Sequence, residues 1–196
     1  MPRPSHPTLL LLLALALTAC EPPARGRLDA IATLASTNQP AAAARLNADW
    51  AAGRLTMDDS LTLAHDLLDA GDARAPAFAA AVLQTIEDRA ASINSAAEFE
   101  IFWRRVGRLA FKAALAYFEA GQFDEAARWV FAGTTRWQTD LYWLKYTDHD
   151  ALASYCLART GRAAEGVQRL RDRPSLDGDA AEALRVLTTG RTSEGP

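Results

Sequence analysis

The sequence predicts an all-α chain built of antiparallel helical hairpins, and three observations carry that prediction. Alanine and leucine dominate, and runs of valine, isoleucine and threonine are absent. The apolar positions recur at intervals of three and four, the spacing of one helix face. Gly53, Gly71, Gly121 and Gly161 stand where those stripes end, which is the place of a left-handed helix stop. The formal net charge is −3 and no basic run is present, which excludes the electrostatic footprint of a nucleic-acid binder.

The first element is a targeting segment. Residues 1–7 are polar and carry Arg3, and residues 8–19 are almost wholly apolar, the layout of a secretory signal. That run falls well short of the ~20 residues a membrane-spanning helix needs. It ends in Leu17-Thr18-Ala19-Cys20, where an apolar residue and two small ones precede a cysteine. This stretch resembles the lipobox of bacterial lipoproteins. The resemblance implies cleavage before Cys20, a thioether-linked diacylglycerol on its sulfur and acylation of its new amine. Two or three chains at about 0.8 kcal/mol per buried methylene make a near-permanent anchor. Glu21 follows the cysteine, in place of the aspartate associated with inner-membrane retention. In a Gram-negative source that implies the outer membrane, facing the periplasm. The alternative is a soluble secreted protein cut near Ala19.

Residues 20–27 are expected to form a short tether, extended by Pro22 and Pro23, so the domain sits close to its membrane. A single helical domain then fills 28–189, and 190–196 is expected to be a disordered tail. With Cys20 carrying lipid, Cys156 has no partner for an internal disulfide. It falls in a helical pattern and reads as a small buried hydrophobe.

Within the domain, helices are expected near 40–52, 57–70, 75–91, 96–120, 123–137, 140–146, 149–160, 163–172 and 179–189. The clearest follows Ser95 and Glu98, a capping-box pair whose side chains each satisfy a free amide of the first turn. Phe99, Phe102, Val106, Leu109, Ala113, Tyr117 and Ala120 then form one stripe. Similar starts occur at Thr56-Met57-Asp58-Asp59 and Thr147-Asp148-His149-Asp150.

The stretch 113–129, "AALAYFEAGQFDEAARW", places Ala114, Tyr117, Gly121, Phe123 and Ala126 in a small, large, glycine, aromatic, small order. It resembles a tetratricopeptide repeat. A second window repeats the order with Ser154, Leu157, Gly161, Ala163 and Gly166, and a fainter third has Ala64, Leu67, Gly71 and Ala73 but Pro76 at the second small position. The glycines lie farther apart than the family's ~34-residue period. The resemblance implies a tetratricopeptide-like superhelix, with an irregular helical bundle as the alternative.

All aromatic residues except Trp50 and Phe78 lie between Phe99 and Tyr155, and the densest stretch is 136–146, "RWQTDLYWLKY". On a helix Tyr142, Trp143 and Tyr146 share one face, so one side is able to fill the core and the other to meet a partner. Core or surface stays open at this point. As a partner-binding surface the candidates are Arg136, Trp137, Tyr142, Trp143, Lys145 and Tyr146, since aromatic and arginine side chains are enriched among interface anchors.

Catalysis has little support. Of the three histidines, His65 and His149 remain after processing, and Asp148 and Asp150 around His149 suit the amide end of a helix. No second histidine lies four residues from His149, so no zinc motif is read and no metal or cofactor is expected. No phosphate-binding glycine loop and no nucleophile elbow is present. The leading expectation is a lipid-anchored scaffold that contacts the membrane through Cys20 and binds another envelope protein in assembly or secretion. Three alternatives stand beside it: an inhibitor or immunity lipoprotein against an exported hydrolase, an enzyme acting on cell-wall glycan, and a small-molecule binder with a pocket walled by Trp137 and Trp143.

Overall fold

The computed structural model describes residues 23–89, 96–135, 147–173, 176 and 178–189. Among these the chain is all-helical, with nine helices. They are α1 (Ala24–Ala35), α2 (Gln39–Ala51), α3 (Met57–Asp69), α4 (Ala75–Arg89), α5 (Ala96–Glu119), α6 (Phe123–Thr135), α7 (Thr147–Arg159), α8 (Ala163–Arg171) and α9 (Gly178–Thr189). Helices α1–α2, α3–α4, α5–α6 and α7–α8 pack pairwise as hairpins, and α9 lies on α7 and α8. The expected helix at 140–146 lies outside the described residues, as do Ser95 and the tail from residue 190.

The expectation of an extended tether through Arg27 fails at Ala24, where α1 begins. A proline is tolerated at a helix start, where its missing N–H has no acceptor to lose. Leu28, Ile31, Ala32 and Ala35 then supply the three-and-four spacing, and all are buried. The next two starts are capped by side chains. The Ala41 amide donates to Asn38 Oδ1 at 3.1 Å, and the Asp59 amide donates to Thr56 Oγ1 at 3.0 Å.

Gly53, Gly71, Gly121 and Gly161 close their helices in the same way. At Gly121 (φ 75°) its amide donates to the Phe118 carbonyl at 3.0 Å and the Gln122 amide to the Tyr117 carbonyl at 2.9 Å. This paired pattern answers two carbonyls that the helix end leaves open, and it needs a backbone that glycine adopts without strain. The other three repeat it.

Helix α4 is the hub. It packs against α1, α2, α3 and α5, and Ala75 and Phe78 with the whole run from Ala79 to Leu83 are buried. A helix apolar on every side has to be surrounded in this way. In α5, Val106, Leu109, Ala113 and Tyr117 of the expected stripe are buried and Phe102 is half-buried, whereas Ala120 is exposed. Trp103, Ala110 and Ala114 widen the buried face.

The second hairpin window keeps small buried residues at the two places where the first has them. Ala114 and Ala126 are fully buried in the packed pair α5–α6, and Ser154 and Gly166 hold the matching places in α7–α8. There the backbones approach closely: a Cβ on Gly166 would lie 2.8 Å from the Ser154 carbonyl oxygen. The Ser154 Oγ is buried and has no hydrogen-bond partner. An unanswered buried hydroxyl costs ~1–3 kcal/mol. Ser154→Ala, which makes the position match Ala114, is therefore expected to raise the unfolding free energy by about 1 kcal/mol in a denaturant titration. A loss of stability would show that the hydroxyl is answered in solution.

Candidate partner-binding end

In sequence the aromatic stretch lies between α6 (Phe123–Thr135) and α7 (Thr147–Arg159). The candidates Arg136, Trp137, Tyr142, Trp143, Lys145 and Tyr146 lie outside the described residues, and so does Cys20. The described flanks are built from α5 to α8.

On the α7 side, His149 stacks on Phe111 of α5, with ring centroids 4.2 Å apart and planes inclined by 28°. Asp150 follows, and its side chain is only 8% exposed. It accepts from Arg169 Nε of α8 at 2.8 Å, and Arg173, just past the end of α8, pairs with its other oxygen. The Arg169 guanidinium also lies over the Phe131 ring of α6, 5.3 Å from its centroid. Burial depresses the pKa of Arg169, yet its carboxylate partner and ring face keep the charge well placed. One buried acid thus fixes the first turn of α7 to the end of α8, beside α6. Asp150 reads from sequence as a helix-dipole residue only. Its arginines are far along the chain, and no local spacing announces them.

A second buried acid closes the α2–α3 turn. Asp49 accepts from Arg54 Nε at 2.8 Å and from Arg45 Nε at 3.1 Å, and its side chain is 1% exposed. Burial opposes its ionisation, but the hydrogen bonds from Arg54 and Arg45 outweigh that and hold its carboxyl below the usual range. Asp72, in the next turn, is lowered to about 2 by side-chain and backbone hydrogen bonds from Arg74. These carboxylates are turn fasteners with every charge answered locally.

Two other chemistry-bearing groups among the described residues, Cys156 and His65, are packed into the fold. Cys156 is fully buried, and burial pushes its thiol up to about 11, the opposite of an activated nucleophile. His65 Nε2 lies 3.3 Å from the Arg105 carbonyl oxygen, and burial lowers its pKa. Around it α3 and α5 meet through ion pairs, Asp58 with Arg105 and Asp69 with Lys112. No group of three His, Cys, Asp or Glu residues among the described residues is placed to hold a metal. No described helix is long and apolar enough to cross a membrane.

Surface hollows line the described helices, and two of them show their character. One of about 690 Å³ runs between α1 and α2, floored by Ala30, Ile31, Ala44 and Ala48 and edged by Arg45 and Asp49. The other, of about 550 Å³, lies where Gly121 and Gln122 meet Arg159 and Thr160. There the Arg159 guanidinium lies 5.3 Å from the centre of the Phe123 ring. Neither gathers convergent polar groups in an enclosed apolar cleft, the usual form of a small-molecule site. No family model matches the sequence, and no curated protein and no solved structure matches it either.

Proposed function

We propose that the protein is a lipid-anchored scaffold of the bacterial cell envelope, fastened through Cys20 and binding another envelope protein through residues of 136–146. The carrying observation is the lipobox-like sequence placed immediately before a stack of helical hairpins. Helix α1 begins four residues after Cys20, so an acylated chain would hold the stack against its bilayer. The hairpin order of Ala114, Tyr117, Gly121, Phe123 and Ala126 supports a tetratricopeptide-like stack. Such stacks present extended surfaces to protein partners. Aromatic side chains joined to Arg136 and Lys145 suit an interface anchored by large, partly polar groups.

The test is crosslinking in intact membranes followed by a pull-down, comparing wild type with a Tyr142→Ala, Trp143→Ala, Tyr146→Ala triple variant of unchanged helicity. The expected result is a specific crosslinked protein that the variant loses. Recovery of no protein, or equal recovery with the variant, contradicts the reading.

A further inference from the structure

We infer that the outer face of the α1–α2 hairpin is a membrane-contact surface that lies on anionic phospholipid, with its arginines at the phosphates and its apolar trough toward the acyl chains. Charge is divided unevenly along the chain. Residues 24–54 carry Arg25, Arg27, Arg45 and Arg54 against Asp29 and Asp49, whereas residues 55–196 carry 16 basic and 21 acidic residues. The first hairpin is therefore positive in an otherwise acidic protein, which suits this part of the stack to a negative surface.

The hollow of about 690 Å³ gives that charge a shape. Arg27 and Arg45 edge it, and Arg45 shares the one Asp49 carboxylate with Arg54, so two guanidinium groups meet a single acid and a net positive charge remains. The Arg45 and Arg54 side chains are still 57% and 38% exposed, open to a phosphate from the solvent side. Ala30, Ala44 and Ala48 are exposed along the same hollow, and Leu34 is 36% exposed there. Arginine stems lie along apolar surface of this kind while their heads reach polar headgroups.

The place of the hairpin in the chain supplies the occupant. Arg27 stands in the first turn of α1, and the four residues from Cys20 to Ala24 span at most about 14 Å. An acylated Cys20 would bring this end of the hairpin to lipid headgroups, so the inference rests on the proposed anchor.

The test uses the acylated full chain in vesicles of three parts phosphatidylethanolamine to one part phosphatidylglycerol, with a fluorophore on Ala44→Cys or, for comparison, on Ala164→Cys at an exposed position of α8. Cys20 is then acylated and Cys156 is buried, so the introduced thiol takes the label. Headgroup spin-labelled lipid is expected to quench the Ala44 site several-fold more than the Ala164 site, and this excess is expected to fall when phosphatidylcholine replaces phosphatidylglycerol. Ala30→Glu with Ala48→Glu, both at exposed positions, is expected to remove the excess, since each added carboxylate weakens attraction to an anionic surface roughly fivefold. Equal quenching of the two sites in a chain that floats with the vesicles overturns the contact face and leaves the anchor standing, as does an excess that persists in phosphatidylcholine or in the double variant. A chain that does not float with the vesicles overturns both.

Discussion

Gly166→Ala is expected to lower the unfolding free energy by about 1–3 kcal/mol, and Gly107→Ala to raise it by ~0.5–1 kcal/mol. The chemical change is the same and both glycines sit inside helices. In each case alanine removes the conformational freedom that glycine gives the unfolded chain. The surroundings decide the sign. A Cβ at Gly107 meets nothing within 4 Å, whereas at Gly166 it meets the Ser154 carbonyl oxygen at 2.8 Å and the Ser154 Cα at 3.3 Å. Those are backbone atoms, so relief requires moving α7 away from α8, not turning a side chain. Denaturant titrations of the two variants check this, and shifts in the same direction would refute the close approach.

Asp150→Ala is expected to cost about 3 kcal/mol, because it removes the carboxylate that Arg169 and Arg173 share. The two arginine side chains are 28% and 15% exposed, so water recovers part of their lost solvation and keeps the cost at the lower end of the range for a broken buried pair. Asp66→Ala provides the contrast. Its pair with Arg25 is 3.8 Å long with both side chains more than half exposed, and its loss is expected to cost under ~1 kcal/mol. Equal effects of the two substitutions in chemical unfolding would mean that Asp150 is no fastener.

What was legible in the sequence was what depends on neighbours along the chain. Gly71, Gly121 and Gly161 announced their turns because a left-handed stop is a local backbone demand. Thr56 announced α3 because a cap bonds within three residues. Helix α1 was hidden, since Pro22 and Pro23 suggest extension while only Leu28, Ile31 and Ala32 reveal a stripe. The Asp150 pairing with Arg169 and Arg173 was hidden for a different reason: it exists only once α7 and α8 are folded together. Gly166 falls between these cases. Its small size was visible as part of a hairpin order, but the Ser154 carbonyl against which it lies is a tertiary fact. For the candidate surface, sequence supplies the residue types from Arg136 to Tyr146, and the described structure supplies the helix ends and the Asp150 cluster that flank them.

The most direct measurement of the central claim is intact mass spectrometry of the natural protein extracted from membranes, with sequencing of its first peptide. The expected result is a chain that starts at Cys20, carrying a diacylglyceryl group on sulfur and a further acyl group on the amine. An unacylated chain, or one starting at another residue, would contradict it.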